Sequence, residues 1–325
     1  MKKWSKNVTF FGKIILFLLG LTVYSSVKNE RSISSTVVER ILWFMKDSKT
    51  IKQANTDLEK EKKSGEKKYQ LSSKQHFDVP IKKINFKGMD TYVLNAQENN
   101  GTTILYIHGG GYVSQPVSQH WTALNKIAKN TDSKIIVPIY PLAPFATYKK
   151  SYSLLTEMYQ SIESNKNTRK VVLMGDSAGG GIALGLAETF SKLNIAQPDN
   201  LILLSPWVDI TMENPAVKKY AKKDPMLDTN TLIADGKSWA GSTDTKDYRL
   251  SPVYGDISQL KNVTIFVGTR EQFYPDIMKL NRKLKRAGVS TNLNVGLGQN
   301  HVYPVYPVKE GHEAIDVIIN IVDNL

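Results

Sequence analysis

Ser177 stands in GDSAGG (residues 175–180), a G-x-S-x-G pentapeptide with glycines at 175 and 179. Glycine two residues to either side of a serine permits a turn too tight for flanking side chains, which leaves the hydroxyl exposed at the N-terminus of a helix as a nucleophile. A plain glycine-rich turn between strand and helix has the same composition, so the pentapeptide needs partners before it means catalysis. A second bare stretch, HGGGY at 108–112, follows the apolar run TTILYI. A serine attacking an ester carbonyl builds an oxyanion, which is stabilised by two or three backbone N–H groups aimed at one point with no side chain in the way. Gly110 and Gly111, with Ala178 beyond the serine, are the candidate donors. Phosphate binding is the competing use of a glycine loop, but neither G-K-[ST] nor G-x-G-x-x-G follows.

A hydroxyl nucleophile needs a general base, and the chain has five histidines. His76 precedes the regular part of the chain, and His120 lies in a helical pattern after the glycine loop. His108 is expected to brace that loop through hydrogen bonds. His312 falls inside the C-terminal helical pattern, where a solvated or packed histidine is ordinary. His301, in the loop GQNHVYP after the last strand pattern, is the candidate base. GTREQFYPD supplies two candidate acids. Glu271 comes just after the strand VTIFVG, where the acid must lie to meet the histidine. Asp276 follows Pro275, and the N-terminal dipole of a helix already explains an aspartate there, so it is the reserve. Asp176, beside the nucleophile, points away from the base and is expected to brace the turn.

These residues belong to a regular frame. Short apolar runs at 103–109, 134–140, 170–176, 200–206, 263–269 and 291–297 read as buried strands, and helical patterns at 117–130, 145–165, 178–193, 275–288 and 309–323 lie between them. Such alternation predicts an α/β fold with a mostly parallel sheet covered by helices on both faces, its chemistry collected where strands end.

The 325-residue length suffices for one large domain with additions. The absence of cysteine excludes disulfides, thiolate catalysis and cysteine-ligated metal. The net charge of +13 raises nucleic acid as a partner, but many lysines fall in the first thirteen residues and in 46–83, with no zinc-finger or RNA-binding signature, so a solvated lysine-rich surface is favoured. Residues 1–28 begin with Lys2, Lys3 and Lys6 and carry an apolar run from Ile14 to Val27, which reads as a signal peptide or an uncleaved membrane anchor. Either reading exports the remainder of the chain, and the lysines place the N-terminus in the cytoplasm and the body outside. Residues 29–79 mix helical spacing with charged, apolar-poor sequence and are expected to form a helical cap and linker, with the catalytic domain at 80–325.

Together, HGGGY, GDSAGGG, LSPWVD, DPML, SPVYGD and the acid-to-histidine spacing resemble the hormone-sensitive-lipase-like esterases of the α/β-hydrolase superfamily, over roughly residues 30–325. The resemblance implies a serine carboxylesterase or acyl-ester deacetylase with a helical cap and no cofactor or metal. A helical cap of this size suggests a short or medium acyl chain, and export of the body suggests a small-molecule or glycan-borne ester as substrate. Most relatives have an aspartate where Glu271 stands. The segment YPLAPFATYKKSY lacks the E-H-x-F-P-A that usually follows Y-x-L-A-P, a departure that bears on cap docking and substrate shape. A peptidase or amidase on the same fold, and a non-catalytic binding protein, are the alternatives.

Overall fold

The computed structural model describes residue 20 and residues 22–96 and 101–325. The expected signal or anchor, residues 1–28, thus lies largely outside the described residues; among these, no helix is long and apolar enough to cross a membrane.

Eight strands form one sheet: β1 (Ile81–Phe86), β2 (Met89–Leu94), β3 (Thr102–Ile107), β4 (Lys134–Pro138), β5 (Lys170–Asp176), β6 (Asn200–Leu204), β7 (Asn262–Gly268) and β8 (Ser290–Gly296). Their order is β1-β2-β4-β3-β5-β6-β7-β8. The pairs β1/β2 and β2/β4 are antiparallel and all others parallel. β3 and β6 are buried at every position because helices cover both faces, which is why they read as unbroken apolar runs. β1 is an edge strand, IKKINF, and its lysines keep that edge soluble. The turn from β1 to β2 passes through Lys87 and Gly88, both at positive φ as a tight hairpin requires.

Helices α3 (Ser118–Thr131) and α9 (Lys309–Asp323) lie over one face, with Trp121, Ile127, Ile315 and Ile318 in its core. Helices α4 (Tyr148–Glu163), α5 (Ser177–Leu193) and α8 (Tyr274–Arg286) supply the other, with Leu155, Ile182 and Leu280. α5 is buried on nearly all sides. Its glycines allow that, since a Cβ on Gly179 would stand 2.0 Å from the Ile107 carbonyl and one on Gly181 2.2 Å from that of Trp207.

Before the sheet come a helical stretch at 22–28, α1 (Ile33–Met45) and α2 (Ile51–Ser64). Ser32 caps α1, and Thr50 with Gln53 forms a capping box on α2. Between β6 and β7 the chain adds α6 (Val217–Ala221) and α7 (Thr229–Ala240), and α7 packs on α2. The helical layer near the site is thus shared by two distant stretches of chain. The sequence reading placed no element between 206 and 263: α6 is only five residues long, and α7, TNTLIADGKSWA, has weak apolar spacing.

Candidate active site

β5 ends at Asp176 and α5 begins at Ser177, whose φ of +50° lies in the left-handed region. A non-glycine residue adopts that backbone at a cost, offset here by the packing on both sides of the elbow. A Cβ on Gly175 would stand 2.5 Å from the Gly179 carbonyl, so neither position tolerates a side chain. The Trp207 N–H donates to the Ser177 carbonyl at 2.8 Å and ties the elbow to the end of β6. Ser177 is only 8% exposed, not the open hydroxyl anticipated from the elbow alone. The histidine loop lies against it.

The Ser177 hydroxyl lies 2.9 Å from His301 Nε2, and His301 Nδ1 lies 2.6 Å from Glu271 Oε2. Nδ1–H donates to the carboxylate, which fixes the tautomer that leaves Nε2 free to accept from the serine. Glu271 Oε1 accepts from the Ser205 hydroxyl and the Gly268 N–H, both at 2.7 Å. Ser205 also accepts from the Val302 N–H at 3.0 Å, so one hydroxyl links the acid loop to the histidine loop. Asp224 adds a further tie: its carboxylate accepts from the N–H of Gln272, the residue after Glu271, at 2.8 Å. Burial disfavours the charged imidazolium of His301, but the Glu271 charge and hydrogen bond outweigh it and raise its pKa. Asp276 is elsewhere, in the first turn of α8, accepting from Asn214 at 2.6 Å, with its carboxyl pushed up to about 6 by burial.

The glycine loop leaves β3 and turns beside the elbow. Gly110 and Gly111 have φ of +125° and +64°, and among the described residues neither amide N–H has a hydrogen-bond partner. The loop is held from below by Asp176, which accepts from the Gly109 N–H at 2.7 Å, the Tyr106 hydroxyl at 2.6 Å and His120 Nε2 at 3.2 Å. A Cβ on Gly109 would stand 2.2 Å from that carboxylate. Burial opposes charge on both members of the His120–Asp176 pair, yet their mutual attraction raises the histidine pKa and lowers that of the aspartate.

His108 braces the loop as expected: its Nδ1 is hydrogen-bonded to the Gly109 carbonyl at 2.8 Å. Its Nε2 has no partner, burial pushes its pKa down to about 4, and its carbonyl adds further support by accepting from the Tyr140 hydroxyl at 2.8 Å. A buried ring without a charge partner stays neutral. His120, set aside on sequence, is the histidine that holds the loop through Asp176.

Aromatic rings fill the floor. Tyr112 stacks on Trp239 at 4.9 Å and on Trp207 at 5.0 Å, and Phe273 lies edge-on to His301 at 5.1 Å. A cleft of about 480 Å³ opens beside the glycine loop, between the C-terminal end of α2 and the loops that follow β3 and β4, and is lined by Glu61, Ser64, Val113, Ser114, Leu142 and Phe145. Among the described residues, no group of histidine and carboxylate side chains is arranged to hold a metal ion.

The structure therefore brings Ser177, His301, Glu271 and the glycine loop together and leaves Asp276 and His312 apart. Sequence reasoning missed Ser205, Asp224 and His120. The first two lie in LSPWVD and DPML, segments noted for resemblance but given no role.

A family model described as alpha/beta hydrolase fold matches residues 104–305. An esterase of Acinetobacter venetianus is 26% identical over 226 residues, covering 69% of this chain and 75% of its own length. An acetyl-hydrolase of Streptomyces hygroscopicus is 26% identical over 223 residues, covering 67% of this chain and 74% of its own. The crystal structure of a hormone-sensitive lipase from a metagenome library is similar with a TM-score of 0.72 and 25% identity, over 86% of this chain and 99% of that one. With its elbow serine, its bare glycine loop and this sheet order, the chain belongs to the α/β-hydrolase fold family as a hormone-sensitive-lipase-like esterase.

Proposed function

We propose that the chain hydrolyses small carboxylic esters through an acyl-enzyme intermediate, with Ser177 as nucleophile, His301 as base and Glu271 as acid. The observation that carries this is the unbroken series of hydrogen bonds from Ser177 through His301 to Glu271, on an elbow packed against a glycine loop with two unpartnered amides. Ser177 Oγ bonds to the ester carbonyl carbon while its proton passes to His301 Nε2. The carbonyl oxygen takes the negative charge and meets the N–H groups of Gly110, Gly111 and Ala178. The bond to the alcohol oxygen then breaks, and the imidazolium returns the proton to that oxygen. Water follows the same route, losing its proton to His301, and releases the acid and the serine. Glu271 keeps the imidazole oriented and stabilises its charged form without taking the proton.

The cleft beside the glycine loop, lined by neither Ser177 nor His301, mixes charged and polar groups with Leu142 and Phe145, which suits the polar alcohol of a short acyl ester. Similarity to an acetyl-hydrolase supports acetyl as one such group. For location, the basic start and the apolar run to Val27 support an exported protein with an N-terminal membrane anchor and the catalytic body outside.

The test compares p-nitrophenyl esters of increasing acyl length with an aminoacyl anilide, for the parent chain and Ser177→Ala. Turnover is expected on acetyl and butyryl esters, little on the anilide, and a fall on the order of a thousandfold or more in the variant. Parent-like ester turnover by Ser177→Ala overturns the mechanism, and preference for the anilide makes the enzyme an amidase.

A further inference from the structure

The usual amphipathic arrangement is reversed on α1. The side chains it turns to the body are polar: Ser35, Thr36 and Glu39 are buried. Ser35 donates to Gln299 at 2.8 Å, and Glu39 accepts from Arg31 and Arg270. Ile33, Val37, Ile41 and Phe44 recur at the spacing that puts them on one side of a helix, and all are exposed, Phe44 by 93%. The stretch at 22–28 repeats the pattern, with Thr22 and Ser26 buried and Val23, Tyr24 and Val27 exposed. It lies antiparallel to α1, since the Arg31 N–H donates to the Ser26 carbonyl and the Arg40 guanidinium to the Thr22 hydroxyl. Most of the large exposed apolar side chains among the described residues belong to these two helical stretches.

An apolar face of this extent is unfavourable in water and marks a surface that something covers. We propose that this face rests in the headgroup region of a phospholipid membrane, so that the esterase body is seated on the bilayer instead of swinging from its anchor. The proposal rests on the anchored reading of the N-terminus. The occupant follows from continuity, because the apolar run that begins at Ile14 leads straight into the exposed face. It also follows from the border of that face, where Tyr24 and Trp43 have a lysine over each ring, Lys28 at 6.0 Å and Lys46 at 5.0 Å. Amphipathic aromatics beside cationic side chains are what the boundary between acyl chains and headgroups selects. The inner, polar side of α1 bonds the loops that carry Glu271 and His301, Glu39 accepting from Arg270 and Ser35 donating to Gln299, and Arg31, just before the helix, donates to the Gly298 carbonyl at 3.0 Å. Membrane seat and catalytic loops are thus joined across the width of one helix.

The chain has no cysteine, so Ile41→Cys, Phe44→Cys and, as a control far along the chain, Leu193→Cys each give a single labelling site in the full-length protein. Leu193 is exposed and apolar like the others but belongs to α5. Each variant is labelled with an environment-sensitive fluorophore, checked for parent-like ester turnover, and reconstituted with phosphatidylglycerol–phosphatidylcholine vesicles. Labels at 41 and 44 are expected to emit at shorter wavelength than the label at 193, to be quenched by doxyl-labelled lipid and to be shielded from aqueous iodide. If the protein sediments with vesicles but labels at 41 and 44 are as open to iodide as the label at 193, the anchor stands and the seat is overturned. Shielding from iodide without doxyl quenching puts a second copy or another part of the chain on this face, and also overturns it. A protein that does not sediment with vesicles removes both the anchor and the seat.

Discussion

Glu271 and Asp276 lie five residues apart in the sequence, and only one of them touches His301. Glu271→Gln keeps the shape but removes the charge that raises the His301 pKa. Its kcat/KM is expected to fall by several kcal/mol of transition-state stabilisation, while Asp276→Asn, altered at a carboxylate that faces Asn214, changes turnover by less than about tenfold. The reverse ranking would transfer the role to Asp276. The pH profile gives a second reading. In the proposed mechanism His301 must be neutral to accept the serine proton, and its pKa lies above the ordinary 6.5, so activity in the parent is expected to be lost as pH falls through that raised value. In Glu271→Gln the inflection moves down, because burial then acts without the opposing charge. An unmoved inflection would mean that another group titrates.

Each of these side chains depends on the backbone of the element that bears it, the glycine loop most of all. Gly110 has a φ of +125°, and a Cβ there would stand 2.4 Å from the Ser114 carbonyl. Gly110→Ala must therefore displace the loop and its two free amides. The expectation is a fall in kcat of about a hundredfold to a thousandfold, the usual loss when oxyanion donors are removed, with global stability measured by denaturant changed far less. Unchanged kcat would place the oxyanion elsewhere. α1 supports the site from the other side. Glu39 lies buried between Arg31 and Arg270, and its removal leaves two guanidinium groups without a counter-charge. Glu39→Ala is expected to cost about 3 to 5 kcal/mol of unfolding free energy. Turnover should fall with it, since Arg270 immediately precedes Glu271. Denaturant midpoints and kcat measured on the same preparation check both parts.

At the scale of the whole molecule, Glu188 is one of the buried acids among the described residues that the proposed chemistry does not use. Glu188, on α5, has neither carboxylate oxygen hydrogen-bonded, and burial pushes its pKa up to about 9, with Lys283 and Lys192 nearby opposing the shift and Asp256 adding to it. The folded state thus holds a proton that the unfolded chain releases near 4.5, so this residue lowers stability progressively as pH rises from 4.5 towards 9. The linkage amounts to about 3 kcal/mol at pH 7. Glu188→Gln should raise the melting temperature at neutral pH and flatten its decline on the alkaline side, with no gain at pH 4. A variant less stable than the parent at pH 8 would show that the carboxylate is charged and paired.

Much of this was legible in the sequence because the strongest signals are local. A strand buried on both faces must be an apolar run, and a turn without room for side chains must be glycine, so TTILYI, HGGGY and GDSAGG announce β3, the loop and the elbow from neighbouring residues alone. The reading of Glu271 over Asp276 also drew on local grammar, the end of β7 against the first turn of α8. What required the tertiary structure was the set of supporting contacts between distant segments. Ser205 meets Glu271 from 66 residues away, and His120 meets Asp176 from 56, and no pattern near either residue marks the partner. His108 braces the loop from within, Nδ1 to the Gly109 carbonyl, as its position suggested, whereas the carboxylate beneath the loop is taken by Gly109, Tyr106 and His120, the last of which position alone did not mark. α1 shows the same division. Its apolar spacing made it a helix on sequence alone, but spacing does not say which face turns inward, and only the packed chain shows that the polar side does, because the charged and polar partners of Ser35 and Glu39 lie on the catalytic loops.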